Sequence, residues 1–239
     1  MSKNKSFRAA LIGVGRLGHP FKKYISKMPA WDLVVSNRIP DRLGEFDYLF
    51  LATPDTAISA LADNALKLNP KIKTVHFSGS VFHEKSYGVH PVFSFPKSKF
   101  IEIDFKSINY VVDHTQFPFE LKSIFPKRHF IKPELKPCYH SFLSLTANYT
   151  QLLSQHYGSE FKKDTGLSPS LLKGLMLQSL ENEIKLGPKS FSGPWVRGEK
   201  KNQDKLVKKI KSKSLDLLNS NFKKLIKSYE SVINNKALK

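Results

Sequence analysis

Eleven residues near the start of the chain, Arg8-Ala9-Ala10-Leu11-Ile12 followed by Gly13-Val14-Gly15-Arg16-Leu17-Gly18, constrain the fold more than any other segment. A short apolar run reads as a buried strand, and the residues after Gly18 read as a helix reaching about Met28, where Pro29 breaks it. Glycines spaced G-x-G-x-x-G between a strand and a helix have a physical logic. The first permits the tight turn, the second lets backbone approach a pyrophosphate, and the third lets the helix pack close to the strand. The free N–H groups of the helix terminus complete an anion cradle. Gly13, Gly15, Arg16, Leu17 and Gly18 are therefore candidate cofactor contacts. A glycine turn that holds nothing is the competing explanation, and the flanking strand and helix argue against it.

The rest of the first half repeats the alternation. Strands are predicted at 33–36, 48–52 and 73–77, a helix over about 56–68, and a further extended stretch ending at His90-Pro91. Runs at 100–105, 108–112 and 129–131, with a short helix near 117–125, complete the pattern. Apolar strands alternating with helices predict a doubly wound, parallel α/β sheet of the Rossmann type. Pro133 and Pro137 punctuate the chain, and a linker is expected between them. Beyond it the periodicity becomes helical, over 139–157, over 168–185 with Pro169 in the first turn, and in one or two helices between about 203 and 234. Leu206, Ile210, Leu217, Leu218, Phe222, Leu225, Tyr229 and Val232 recur at three- and four-residue steps and predict one buried stripe. Two domains follow, a dinucleotide-binding domain over 1–133 and an all-α domain over 134–239.

Cofactor choice turns on the end of the second strand, where an acidic residue would hold the ribose 2′-hydroxyl of NAD. Here the chain reads Ser36-Asn37-Arg38. An arginine cannot accept from that hydroxyl, but it pairs with a 2′-phosphate through charge-assisted hydrogen bonds, so NADP is expected over NAD. Asp32 before the strand and Asp41 beyond it are not well placed to reverse this choice. Thr53-Pro54-Asp55, His76-x-Ser78-Gly79 and His90 each follow or end a strand. In an open parallel sheet such segments converge on one crevice at the carboxyl ends of the strands.

A polar stripe runs along the helix after the prolines. His140, Ser144, Asn148, Gln151 and Gln155 share one face, while Phe142, Leu143, Leu145, Tyr149, Leu152 and Leu153 occupy the others. So apolar a helix is expected to be largely buried, its polar stripe facing either solvent or a wet cleft against the first domain, with uncharged His, Ser and Asn more typical of a site. His140 is the candidate proton donor, with Ser144 and Asn148 orienting a carbonyl or imine. Ser78, the Gly79 backbone, His76, His90 and Arg197 are candidate substrate contacts.

Taken in order, Gly13–Gly18, 49–55, His76-Phe77-Ser78-Gly79, His90-Pro91, 139–149, Leu186-Gly187-Pro188 and Ser192-Gly193-Pro194-Trp195-Val196-Arg197-Gly198 carry a resemblance. The chain resembles, over about residues 7–200, the Rossmann-like proteins with a helical C-terminal domain of unknown function. These look like distant relatives of ketopantoate reductase, pyrroline-5-carboxylate reductase and 6-phosphogluconate dehydrogenase. The resemblance implies an NADP-dependent reductase-like fold, a small-molecule substrate bound between the domains, and a homodimer formed through the helical domain. Two departures stand out. About ten residues separate Asn37 from Asp47, too few for the usual helix and additional strand. Where the 6-phosphogluconate dehydrogenase-like enzymes carry Lys-x-x-x-Asn, this chain reads Ser144-x-x-x-Asn148, so a catalytically silent sensor or scaffold that binds NADP is the alternative function.

Charge and cysteine content narrow the remaining classes. The formal net charge is +19, and residues 200–239 contribute +9 of it through 12 lysines and 3 acids. Phe222 and Tyr229, the aromatics of that stretch, fit the apolar stripe rather than a base-stacking platform, so no specific nucleic-acid partner is expected. Cys138 is the single cysteine, which excludes an intrachain disulfide or a cysteine-clustered metal site. No run of about 18 apolar residues is present to span a membrane, and no secretory signal is readable. A cytoplasmic protein with no metal is expected.

Overall fold

The structure, a computed structural model, describes residues 6–97, 102–194, 197, 199, 201, 202, 205, 215, 216, 220, 221, 224 and 225. Its chain divides into two compact units, Met1–Leu145 and Thr146–Lys239. The first holds a seven-stranded sheet in the order β2-β1-β3-β4-β5-β6-β7. The strands are β1 (Phe7–Ile12), β2 (Trp31–Ser36), β3 (Tyr48–Leu51), β4 (Lys73–His76), β5 (Ser86–Pro91), β6 (Asn109–Val112) and β7 (Lys127–Phe130). Strands β2 to β5 pair in parallel through β1, β5 and β6 are antiparallel, and β6 and β7 are parallel. With α1 (Gly18–Ile25) and α2 (Asp55–Leu68) packed on it, this is a Rossmann-type α/β sheet.

Alternation along β1 and β3 builds both faces. Ala9, Leu11, Tyr48 and Phe50 join Phe21 and Ile25 of α1 and Leu121 and Ile124 of α3 (Leu121–Ile124) in one core. Ala10, Ile12, Leu49 and Leu51 join Ile58, Ala62 and Ala65 of α2 in the other. Side chains of period two on strands flanked by helices bury both faces, so the strand sequences read as continuous apolar runs. The aromatics of the first core interlock, with Phe21 edge-on to Phe50, Phe77 and Phe105.

Between β2 and β3 stands only a 3-10 turn, Leu43–Glu45, so β2 is the edge of the sheet, as the short Asn37–Asp47 spacing implies. Elsewhere the structure departs from expectation. Residues 102–105 of the run predicted as a strand at 100–105 are not a strand, and 100 and 101 lie outside the described residues. Asp104 explains this, because its side chain accepts the Lys106 N–H and its carbonyl accepts from Ser107, an Asx turn that competes with extended pairing. Phe105 is still buried, from a turn rather than a strand.

The expected linker is also structured. Pro133–Leu135 form a 3-10 turn and α4 (Lys136–Thr165) begins directly after it, with Pro137 in the first turn, where its missing N–H costs nothing. The boundary between the two compact units falls inside α4. Helix α5 (Ser170–Leu186) follows, capped by Pro169. The prediction that the helix after the prolines is largely buried fails for this chain. Phe142 is 69% exposed and Leu145, Tyr149 and Leu152 are each more than half exposed. Apolar residues spread around all sides of a helix must leave some uncovered unless neighbours surround it. Of the predicted C-terminal stripe, Leu206, Ile210, Leu217, Leu218, Phe222, Tyr229 and Val232 lie outside the described residues, and Leu225 is exposed rather than buried.

Candidate functional site

The glycine turn has the form its spacing demands. Gly13 has φ +94°, and a Cβ there would stand 2.3 Å from the Ala52 carbonyl oxygen. A Cβ on Gly18 would stand 2.0 Å from the Gly13 carbonyl oxygen, so α1 starts in direct contact with the turn. Gly15, by contrast, faces open space, and Gly15 and Arg16 are exposed. Two glycines close the turn and one leaves it open to a ligand. Leu17 packs against the first core.

Next to this turn, just beyond β3, the Thr53 hydroxyl is buried without a hydrogen-bond partner among the described residues. An unpartnered buried hydroxyl costs on the order of 1–3 kcal/mol, which a ligand acceptor or donor would recover. The open Gly15 and the orphaned Thr53 hydroxyl both fit a dinucleotide on the amino end of α1. Pro54 is the N-cap of α2, and the Asp55 carboxylate accepts from the Ser80 hydroxyl at 2.7 Å, tying the loop after β3 to the loop after β4.

At the sheet edge Arg38 and Asn37 are exposed, and the Arg38 backbone folds back on the Ser36 hydroxyl. The Arg38 guanidinium pairs with Asp41 at 3.1 Å, both side chains being 79% exposed. Asp41 is thus close enough to compete with an anion for the Arg38 guanidinium.

The strand ends converge on a histidine cluster. His76 ends β4, is fully buried, and has neither ring nitrogen hydrogen-bonded among the described residues. Burial and then the Lys136 cation lower its pKa to about 4. His90, on β5, is lowered to about 4 by burial, then by His140 and Lys136. Both imidazoles are neutral at pH 7. His140 stands edge-to-face with His90, ring centroids 5.2 Å apart, and its Nδ1 is buried without a partner. That atom sits 2.3 Å from where a Cβ on residue 79 would lie. The Ser144 hydroxyl reaches His140 Nε2 at 3.4 Å, one turn further along α4.

Not every predicted contact joins this cluster. The Ser78 oxygen accepts the N–H groups of Ser80 and Val81, so it shapes the loop. Asn148 is exposed and belongs to the second compact unit. Arg197, exposed in that same unit, is bound to Glu199.

Three residues absent from the sequence-level list complete the site. Asp113, which follows β6, accepts the Gly88 N–H at 2.8 Å, lies 2.8 Å from His114 Nδ1, and pairs with the buried Lys136 ammonium at 2.5 Å. Burial pushes the Asp113 carboxyl up, but His114, Lys136 and the Gly88 N–H outweigh it and hold the group at about 2. Tyr139 bonds His90 at 2.8 Å. Lys136 and His140 are four residues apart, the helical spacing that links Ser144 to His140, but the prolines around Lys136 suggested a linker and hid the relation.

Comparison with known proteins agrees with this architecture. A family described as a domain of unknown function (DUF2520) matches residues 121–227. No curated protein sequence matches the chain. Among solved structures, a Thermotoga maritima protein is 21% identical with TM-score 0.68, covering 96% of this chain and 99% of its own. A Bacteroides fragilis protein assigned as an NADP oxidoreductase is 15% identical with TM-score 0.66, covering 95% and 98%. The Plasmodium falciparum pyrroline carboxylate reductase, with NADP bound, is 14% identical with TM-score 0.59, covering 98% of each chain. At these identities the likeness defines a fold: a Rossmann-type sheet followed by a helical C-terminal region.

Proposed function

We propose that the chain is an NADP-dependent oxidoreductase that transfers a hydride to a small carbonyl or imine. The observation that carries this reading is the orphaned His140 Nδ1, buried against Gly79 at the carboxyl edge of the strands whose neighbours β1 and β3 end in the glycine turn and in Thr53. Open α/β sheets bind ligands at that edge. NADP-bound and NADP-assigned proteins share the fold.

In this reading the Gly13–Gly18 turn and the amino end of α1 receive the pyrophosphate, Thr53 and the segment through Asp55 line the same approach, and Arg38 with Asn37 takes the 2′-phosphate. NADPH supplies the hydride. His140 gives the proton that the reduced oxygen or nitrogen needs, with Ser144 on its Nε2, and Asn148 one helical turn beyond Ser144 orients the reacting group. His76, His90 and the Gly79 backbone contact the substrate, and Ser78 holds their loop. The nucleotide-binding domain spans 1–133 and the helical domain 134–239. A homodimer forms through the exposed apolar residues of α4 and α5, and the protein is cytoplasmic.

The second reading, a silent NADP-binding sensor or scaffold, is favoured by Ser144 standing where related enzymes carry a lysine. Titration with NADPH and NADH separates the cases. Binding of NADPH that is lost in Arg38→Ala supports the cofactor assignment, binding without turnover supports the scaffold, and binding of neither nucleotide removes both.

A further inference from the structure

The histidine cluster contains a second device, carried by the phenol of Tyr139. Its hydroxyl lies 2.8 Å from His90 Nδ1, with the two rings edge-to-face at 86° and centroids 5.6 Å apart. A neutral imidazole has one N–H and one lone pair, and the bond made at one nitrogen decides where the proton stays. We propose that Tyr139 is a positioning residue that donates its O–H to His90 Nδ1, fixing His90 as the neutral Nε2–H tautomer with that N–H on the Gly79 side of the ring.

Geometry carries both halves of this assignment. An imidazole lone pair is a stronger acceptor than a phenol oxygen, and a phenol O–H is a strong donor, so the Tyr139–His90 contact favours donation to Nδ1. Burial lifts the Tyr139 hydroxyl to about 12 and, with His140 and Lys136, lowers His90 to about 4, so both partners keep the protonation this bond requires. His90 Cδ2 stands 3.0 Å from the position of a Cβ on Gly79. Cδ2 is covalently next to Nε2 and not bonded to Nδ1, so the Cδ2–Nε2 edge is the one turned toward Gly79. The charged and titratable groups that act on His90 are His140 and Lys136 of α4 and Asp55 of α2.

The consequence is a division of labour between two histidines. His90 offers a neutral N–H that cannot leave at pH 7, suited to stabilising negative charge on a substrate oxygen. His140, whose Nδ1 has no partner among the described residues, is left as the group that exchanges a proton. This second half rests on the oxidoreductase reading; the tautomer lock does not.

Long-range proton–nitrogen NMR on the nitrogen-15-labelled full chain, without nucleotide at pH 7, tests the lock. The wild-type spectrum is expected to show His90 with a protonated Nε2 and an unprotonated Nδ1, and Tyr139→Phe is expected to yield a mixture of tautomers. A wild-type His90 protonated at Nδ1 overturns the proposal with no variant needed, as does a Tyr139→Phe spectrum identical to wild type. If the chain turns over, Tyr139→Phe should lower kcat by up to about 100-fold with the KM for NADPH unchanged. An unchanged kcat overturns the catalytic half, and failure to bind NADPH overturns the oxidoreductase reading while leaving the NMR result standing.

Discussion

His140 and Gly79 are in such close approach that a single methyl group on residue 79 would stand 2.3 Å from the imidazole Nδ1 and 3.0 Å from His90 Cδ2. Two rings would have to move to admit it. Gly79→Ala is therefore expected to cost about 1–3 kcal/mol, the range for overpacking a close-fitted site, and to lower turnover with it. Urea unfolding beside an activity assay checks both, and wild-type values in each would show that Gly79 does not seat His140.

The Asp113–Lys136 pair makes an acid-sensitive contribution. Asp113 is held at about 2, below the ordinary carboxylate value. Its contribution to stability is present above the unfolded-state value near 4 and is lost as pH falls from there toward 2. Asp113→Asn should flatten this part of the stability profile and, by leaving the Lys136 ammonium buried without its counter-charge, cost about 3–5 kcal/mol at pH 7. Urea midpoints between pH 7 and pH 3 measure both effects.

On the proposal that Arg38 takes the 2′-phosphate, Asp41 is its competitor. Their ion pair is exposed and worth about 0.2–1 kcal/mol, and it has to yield before Arg38 turns to a phosphate. Asp41→Asn should accordingly tighten NADPH binding by about 1.4- to 5-fold and leave NADH unchanged, as read by titration calorimetry. Equal effects on the two nucleotides would place Arg38 away from the 2′-phosphate.

His140→Ala should lower kcat by about 10²–10⁴-fold without altering NADPH affinity, the pattern of a lost proton donor. Steady-state kinetics with a nucleotide titration distinguish this from a binding defect.

Helices α4 and α5 expose Phe142, Leu175 and Ile184, the last at 81%. Side chains so exposed contribute little to the stability of one chain, so Leu175→Glu with Ile184→Glu should halve the sedimenting mass while leaving the unfolding of the sheet unchanged. A wild-type chain that sediments as a monomer overturns the dimer.

How far the sequence reached differs between the two parts of the molecule. Continuous apolar strands flanked by glycine, proline and amphipathic helices specify their own burial, so β1 to β5, α1 and α2 were legible. Residues 102–105 were misread because Phe105 looks like part of a strand whether it reaches the core from one or from an Asp104 turn. Around the site, local spacing displayed His140 and Ser144 on one helical face. Asp113 was invisible because its partners Gly88 and Lys136 lie 25 and 23 residues away and meet it only through β5–β6 pairing and the start of α4. Tyr139 is the chain neighbour of His140, but its 49-residue separation from His90 leaves no periodic signal.

The brevity of the β2–β3 connection separates two properties that a longer nucleotide-binding unit would entangle. Leu43 and Phe46 anchor the connection in the core, while Arg38 and Asp41 ride outside it. Substitutions at the outer pair leave the anchoring residues untouched, so the rim can be rewritten without rebuilding the sheet. On the proposed cofactor reading, a lineage of such proteins, or an engineer, could exchange one nucleotide preference for another within a handful of solvent-facing positions, with foldability left to the two buried ones.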